Sequence, residues 1–329
     1  MRFVIIGSGS IALRHLRNIK SILPNSKVAV LVDKNRFTEK KKDSLSQAQS
    51  IIHSKEEAIS YAPEAVIICS PASFHIDMAM FYAQNGINIF LEKPLSNNLD
   101  GVNQLIEIIK KKKIIAMVGY PLRFNRSLIK FHEKIKQGFI GDILKIRSRS
   151  SSYLPKWRPN IDYRKSVSAN TKLGGGVILE VSHEIDYLRW IFGEPELIGY
   201  YHDKLSSLEI DEDCEDYAII MMRFHDSMSN SFLGELSLDF FSPIDERFCK
   251  VFGSKGILLW NGIENTVSFQ NYEHNNHEII FHQIDFDHNE MYLDEMKHFI
   301  NCVKLNNESP ISIQDGLKTL KMALKVKGL

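Results

Sequence analysis

The chain has 329 residues and a formal net charge of +1, with 44% apolar and 25% charged residues. This balance is typical of a soluble globular protein with room for two domains, and the near-neutral charge gives no support for a nucleic-acid or membrane partner. Four dispersed cysteines without a C-x-x-C pair argue against a zinc ribbon or a disulfide framework and indicate a reducing compartment. The first predicted strand begins at Arg2, which leaves no room for a signal peptide, so we expect a cytoplasmic protein.

A glycine-rich turn follows the first predicted strand. It reads Gly7-Ser8-Gly9-Ser10-Ile11-Ala12, a G-x-G-x-x-A motif between a strand and a helix. In this motif Gly7 permits the tight turn, Gly9 lets the backbone approach a pyrophosphate, and Ala12 keeps the helix close to the strand. The helix N-terminus offers N–H groups to the phosphates, so the pattern predicts a dinucleotide site.

An acidic residue ends the second predicted strand, residues 27–32. Asp33 stands about 20 residues beyond the glycines, as the dinucleotide fingerprint requires. Its carboxylate is suited to the adenosine ribose hydroxyls and favours NAD. Lys34 and Arg36 are suited to the extra phosphate of NADP, so both cofactors stay open, and Asp33 could also be a simple turn residue.

A lysine follows the predicted strand at residues 87–90, in the segment Leu91-Glu92-Lys93-Pro94-Leu95. Open α/β sheets bind their ligands at the carboxyl ends of the strands, where Lys93 is expected. Its charge and three donors suit a substrate oxygen or a cofactor ribose, although a surface lysine before a turn is the simpler alternative.

Strands and helices alternate up to the predicted strand 114–119, which indicates a doubly wound parallel sheet. We therefore predict a dinucleotide-binding domain over residues 1–121. Beyond it, over residues 122–329, several strands follow one another without helices, which predicts a second α/β domain with an open, mainly antiparallel sheet. A second subunit would cover that sheet, so we expect a homodimer or homotetramer.

A polar and aromatic loop follows the predicted strand 143–149. Its mixture of aromatic and polar side chains is suited to a sugar-binding wall. The candidate substrate residues in it are Tyr153, Trp157, Arg158, Asp162 and Tyr163.

The glycine run 174–176 enters a predicted apolar helix over residues 177–192. Glu180 and His183 would lie one turn apart on its face. His183 is either a buried core histidine or, together with Lys93 and a dinucleotide, the general base that hydride transfer from a secondary alcohol requires.

We predict no metal site. The pair Glu180 and His183 lacks the second copy that a di-metal bundle needs, and His274 and His277 in a polar loop have no placed carboxylate.

Four motifs in order resemble the Gfo/Idh/MocA oxidoreductases, and the likeness spans nearly the whole chain. They are Gly7-x-Gly9-x-x-Ala12-x-x-His15, Cys69-Ser70-Pro71-x-x-x-His75, Glu92-Lys93-Pro94 and Gly174-Gly-Gly-Val-Ile-Leu-Glu180-x-x-His183-x-x-Asp186. The resemblance implies a Rossmann domain followed by an α/β domain whose open sheet dimerises.

The resemblance also implies roles for single residues. Lys93 would orient substrate and cofactor, and His183 would accept the hydroxyl proton. Glu180 stands where the family usually has aspartate, and it would orient His183 or contact substrate. The further positions that the resemblance places around the cofactor are Ser70, Pro71, His75, Glu92 and Arg123.

We therefore expect an NAD(P)-dependent oxidoreductase that acts on a secondary hydroxyl or keto group of a sugar, nucleotide sugar or inositol-like polyol. Two alternatives stay open. One is a glycosidase that uses tightly bound NAD transiently, and the other is a non-catalytic NAD-binding regulator.

Overall fold

The computed structural model describes residues 1–34, 43–159, 161–226, 230–273 and 277–329. The chain divides into two compact units. The first comprises Met1–Tyr120 and Tyr292–Leu320, and the second comprises Pro121–Met291 and Lys321–Leu329. Within the described part of the chain, no helix is both long and apolar enough to cross a membrane.

The first unit is built on a parallel sheet with the strand order β3-β2-β1-β4-β5-β6. Its strands are β1 Arg2–Ile6, β2 Lys27–Leu31, β3 Ser50–Ile52, β4 Ala65–Ile68, β5 Asn88–Glu92 and β6 Ala116–Gly119. The apolar runs of β1, β4 and β5 are fully buried because helices cover both faces of such a sheet, and each buried side chain contributes about 1.5–3 kcal/mol. The chain order reverses between β1 and β4, which makes the carboxyl ends of these strands the expected ligand edge.

The helices of this unit start at recognisable signals. They are α1 Ser10–Ile22, α2 Lys55–Ser60, α3 His75–Gln84 and α4 Val102–Lys112. The Ser54 side chain accepts a hydrogen bond from Glu57 N and caps α2. The lysines at the end of α4 are exposed beside the last carbonyl groups, where positive charge is stabilised.

A distant segment completes the first unit. Val118 N donates to Ile311 O at 2.9 Å, and Met117 forms an isolated β-bridge with Ser312. At Gly316 a Cβ would lie 2.7 Å from the Val118 side chain, so this position must be a glycine for the close approach. The sequence prediction placed residues 122–329 in one domain, whereas residues 292–320 pack with the first unit.

The second unit contains an eight-stranded sheet with the order β14-β13-β12-β11-β7-β10-β9-β8. Its strands are β7 Ile143–Tyr153, β8 Glu196–Asp203, β9 Tyr217–His225, β10 Ser231–Asp239, β11 Phe241–Gly253, β12 Gly256–Asn261, β13 Thr266–Asn271 and β14 His277–His282. Among the pairings of these strands only β7 with β10 is parallel. The predicted fold class, a parallel doubly wound sheet followed by a mainly antiparallel one, is confirmed.

Helices cover one face of the second sheet. They are α5 Arg126–Lys136, α6 Val177–Glu180 and α7 His183–Phe192, and two further helices, α8 Asn289–Leu305 and α9 Ile313–Val326, follow the sheet in the chain. Trp260 of β12 is fully buried and donates from Nε1 to Ser127 Oγ of α5 at 2.8 Å. The strand register places Tyr201, Met221 and Leu233 on the other face, where each is about half exposed.

Candidate functional site

The glycine-rich turn lies between β1 and α1, as predicted. Gly7 has a φ of +114° and donates from N to Leu31 O at 3.0 Å, and a Cβ there would lie 3.1 Å from Cys69 O. Gly9 is the N-cap of α1, and a Cβ there would meet nothing within 4 Å. Ala12 is buried against the sheet. Open space in front of the helix N-terminus fits a dinucleotide phosphate.

The other predicted cofactor residues of this region lie around the turn. Ser8 and Ile11 are half-buried, and Ser10 is exposed. Asp33 and Lys34 are exposed just beyond β2, the strand whose Leu31 carbonyl holds Gly7. Arg36 lies outside the described residues.

His75 braces two neighbouring loops at the carboxyl edge of the sheet. It is buried at the start of α3, with Nε2 2.7 Å from Ser70 O and Nδ1 2.9 Å from Pro94 O. Burial lowers its pKa, and the two carbonyl oxygens and the Glu92 carboxylate partly oppose that shift. A neutral imidazole carries one N–H, so one ring nitrogen donates to its main-chain oxygen while the other only lies against the second oxygen. This geometry indicates a brace between the Ser70–Pro71 and Lys93–Pro94 loops.

We expect His75→Phe to lower the free energy of unfolding by about 1–2 kcal/mol, because it keeps a buried ring but removes the hydrogen bond that the imidazole N–H donates to a main-chain oxygen. Loosening of the two loops should also weaken NADH binding. Urea denaturation and NADH titration measure the two effects. The matched control is His53→Phe, which loses the contact of Nδ1 with Val32 O at a half-buried position. Unchanged stability and NADH affinity in His75→Phe would contradict the bracing role.

Lys93 follows directly after β5 and is half-buried. Its neighbour Glu92 is buried, and Glu92 Oε1 lies 2.6 Å from Nε2 of the fully buried His15 in α1. His15 Nδ1 has no hydrogen-bond partner among the described residues, so we place the ring proton on Nε2, from which it is donated to Glu92. This bond ties the helix of the glycine turn to the strand that carries Lys93. The sequence singled out His15 only as part of a motif, and its partner was missed.

The predicted single helix over residues 177–192 is wrong. The segment forms α6 and α7, with Val181 and Ser182 between them and Val181 at φ −104° and ψ 24°. Glu180 ends the first helix and His183 begins the second, so they do not share one regular helical face. Both side chains are half-buried.

The predicted substrate loop and Glu180 are brought together by one serine. Ser168 Oγ donates to Glu180 Oε2 at 2.8 Å. Ser168 also lines a small cleft, whose other lining residues are Leu154, Trp157, Arg158, Ile161, Tyr163 and Ser166. No sequence motif pointed to Ser168.

The remaining loop residues are held in place by local bonds. Trp157 donates from Nε1 to Ser152 Oγ at 2.8 Å, and Tyr163 Oη accepts from Glu209 N at 3.1 Å. Asp162 pairs with Arg164, whose guanidinium lowers the pKa of the carboxyl. Tyr153 ends β7 and is half-buried. These bonds hold Trp157 and Tyr163 of the predicted aromatic wall in position.

Arg123 forms a buried bidentate ion pair. It lies in the 3-10 turn Pro121–Phe124 and donates from Nε and Nη2 to the two oxygens of Asp186, at 2.8 and 2.7 Å. Asp186 lies in α7, one turn beyond His183. The pair fixes this helix within the second unit, and a contact of Arg123 with the cofactor stays a proposal.

Comparison with known proteins gives the family. Residues 1–120 match the oxidoreductase family described by an NAD-binding Rossmann fold, and residues 132–326 match its C-terminal alpha/beta domain. The chain belongs to the Gfo/Idh/MocA oxidoreductase family. Its first unit is accordingly an NAD-binding domain, which agrees with the glycine turn.

Several individual proteins resemble this Gfo/Idh/MocA chain. Myo-inositol 2-dehydrogenase of Thermotoga maritima is 29% identical over 340 residues, with 99% of this chain and 95% of the relative covered. Levoglucosan dehydrogenase in complex with NADH has a TM-score of 0.85 at 16% identity, with coverage of 99% and 95%. Myo-inositol 2-dehydrogenase from Lactobacillus plantarum has a TM-score of 0.79 at 21% identity, with coverage of 100% and 96%. These two structures show a shared fold.

No group of three or more His, Cys, Asp and Glu side chains is placed to hold a metal ion in residues 1–34, 43–159, 161–226, 230–273 and 277–329. Of the two loop histidines His274 and His277, His274 lies outside these ranges.

Proposed function

We propose that this protein is an NAD(P)-dependent oxidoreductase that interconverts a secondary hydroxyl and a keto group of a sugar or cyclic polyol. The observation that carries the proposal is the position of Lys93. It follows β5 at the ligand edge of an NAD-binding sheet, between the buried Glu92 and the loop braced by His75. Nicotinamide, when bound, accepts or supplies the hydride.

Lys93 has the role of fixing the reacting oxygen. An ammonium group donates up to three hydrogen bonds and stabilises the alkoxide that develops as the proton leaves. Its position in the chain is held from two sides, through Glu92 to His15 and through Pro94 O to His75. A main chain held in this way keeps the root of the lysine side chain in one place, which limits the positions that the ammonium group can reach.

His183 has the role of general base. An imidazole exchanges protons near neutral pH, so it can take the hydroxyl proton during oxidation and return one during reduction. Its position at the start of α7, half-buried and directly after the break, suits this role.

Glu180 supports the substrate rather than the hydride transfer. Its carboxylate accepts from Ser168, which lines the cleft below Trp157 and Tyr163. A carboxylate and aromatic rings are the groups that commonly bind the hydroxyls and the apolar faces of a polyol. The relative named myo-inositol 2-dehydrogenase supports inositols as the first substrates to try.

The first experiment is titration of the purified protein with NAD⁺, NADH, NADP⁺ and NADPH, followed by absorbance at the reduced-nicotinamide band with inositols, sugars and nucleotide sugars. Reduction of free NAD⁺ or NADP⁺ by one polyol class supports the proposal. Tight cofactor binding without net redox change, together with cleavage of a glycoside, supports the glycosidase instead. Tight binding with neither reaction supports the regulator.

Asp33 tests the choice between the two cofactors. We expect Asp33→Ala to weaken NAD⁺ binding roughly tenfold, because a charged acceptor for the ribose hydroxyls is lost, and to weaken NADP⁺ binding less. Calorimetric titration of both cofactors measures the difference. The exposed Asp43 offers a control, Asp43→Ala, which should leave both affinities unchanged. Equal losses for the two cofactors in Asp33→Ala would argue against this role.

A homodimer or homotetramer remains part of the proposal. The half-exposed side chains Tyr201, Met221 and Leu233 on one face of the second sheet support a second copy as its cover. Light scattering after gel filtration measures the mass, and a monomer at micromolar concentration would contradict the proposal.

A further inference from the structure

A buried carboxylate holds the start of α6, the helix that ends at Glu180. Glu215 is only 3% exposed and lies just before β9. Its Oε1 accepts from Ile178 N at 3.0 Å, and its main-chain oxygen accepts from Val177 N at 2.9 Å. One residue therefore fixes two successive N–H groups of the turn.

The glycine run packs closely against this carboxylate and against neighbouring main-chain oxygens. Gly176 has a φ of +99°, and a Cβ there would lie 2.6 Å from Glu215 Cδ. At Gly175 a Cβ would lie 2.6 Å from Val167 O and 2.8 Å from Asn170 O. A side chain at either position would push the turn away from its support.

A lysine from the end of the chain neutralises Glu215. Lys327 Nζ forms an ion pair with Glu215 Oε2, and the side chains are 8% and 3% exposed. Lys327 N donates to Ala323 O at 3.1 Å, and Leu329 N donates to Leu324 O at 2.9 Å, so the turn after α9 is itself ordered. A buried carboxylate without such a partner would be strongly destabilised, so Lys327 offsets the cost of burying Glu215.

We propose that Glu215 and Lys327 are positioning residues, which hold the turn at residues 176–178 and thereby set the positions of Glu180 and His183. The catalytic consequence rests on the proposed function of these two residues. Glu215 and Lys327 act at a distance, through the main chain. Their loss should lower kcat and leave the NAD-binding unit unaffected.

The test compares Lys327→Met, Glu215→Gln and the double variant with the wild type. Lys325→Met is the matched control, because Lys325 is exposed in the last turn of α9, two residues before Lys327. We expect kcat with NAD⁺ and myo-inositol to fall about tenfold to a hundredfold, since small misplacements of catalytic groups have effects of this size. KM for NAD⁺ should stay within about twofold. Lys327→Arg, which keeps the charge, should recover most of the activity.

Hydrogen exchange measured by mass spectrometry gives a second readout that needs no turnover. The peptide covering residues 174–184 should exchange faster in Lys327→Met and Glu215→Gln than in the wild type and in Lys325→Met. If Lys327→Met does not fold, kcat and the exchange of residues 174–184 are measured in the double variant instead, which leaves no unpaired charge. Wild-type kcat or wild-type exchange in the folded variants would overturn the inference.

The two proposals fail separately. If the wild type oxidises none of the polyols, the proposed function fails, and the exchange of residues 174–184 still decides whether Glu215 and Lys327 hold the turn. If the wild type is active and the variants exchange faster with unchanged kcat, the positioning role is refuted while the proposed function stands.

Discussion

Replacement of Lys93 by methionine is expected to lower kcat by about a hundredfold to a thousandfold, the range found for the loss of one oxyanion-stabilising donor. Methionine keeps the length and apolar stem of lysine but has no charge and no donor. The developing alkoxide would then lack its stabilising cation. The bond between Glu92 and His15 and the brace by His75 are untouched by the change, so the loop should keep its conformation.

Steady-state kinetics with the polyol found in the substrate screen measures this effect, and NADH titration shows whether the cofactor site survives. We expect NADH affinity within a few-fold of the wild type. The control is Lys111→Met, on the exposed end of α4, which should behave like the wild type. A kcat of Lys93→Met within twofold of the wild-type value would show that Lys93 has no role in the reaction.

Replacement of His183 by asparagine is expected to lower kcat about a hundredfold to ten-thousandfold, the usual contribution of a general base. Asparagine retains hydrogen-bonding groups but does not accept a proton near neutral pH. In the wild type, kcat/KM for oxidation should fall toward acidic pH, because a protonated imidazole has no lone pair for the hydroxyl proton. That acidic limb should be absent from the profile of His183→Asn.

Profiles of kcat/KM against pH for oxidation, measured for both proteins, test the role directly. His225→Asn is the control, since His225 is exposed at the end of β9 and should have no effect on the profile. An acidic limb that persists unchanged in His183→Asn would assign the base to another group. Circular dichroism excludes unfolding as the cause of lost activity.

The first unit was largely predictable from the sequence, because its strands are continuous apolar runs next to a turn with fixed glycine positions. Such strands are buried on both faces, so nearly all of their residues are apolar and they can be recognised without knowing how they pack. The less regular β8 and β13 have a weaker signal in the sequence. Glu196–Asp203 contains a glycine and is mostly exposed, and Thr266–Asn271 is mainly polar, so neither has the alternation on which strand predictions depend.

The break between α6 and α7 was not predictable from local sequence. Val181 and Ser182 are ordinary helix residues, and no proline or glycine marks the interruption. Glu215 holds the start of α6 through Ile178 N and Val177 N, and Asp186 in α7 is paired with Arg123. These contacts join residues distant in sequence, so the two short helices are set by tertiary structure that a pattern of single residues does not contain.

The same limit applies to His75 and His15. The resemblance placed His75 around the cofactor, but the contacts of its ring nitrogens with Ser70 O and Pro94 O became visible only in the structure. Motif spacing identifies which residues matter near a site, whereas the partner of a buried polar atom depends on which strands become neighbours.

The segment 292–320 has a consequence for how the protein is made. The edge of β6 forms its contacts with Ile311 and Ser312, which leave the ribosome long after Tyr120. Until then the nascent NAD-binding unit has an open strand edge and an uncovered Val118, features that promote aggregation and chaperone binding. A truncated gene that stops at Tyr120 should therefore give an insoluble product, and a stable isolated domain would require residues 292–320 to be fused to it. The part of the protein that is synthesised first therefore cannot complete its fold until residues 292–320 have been made.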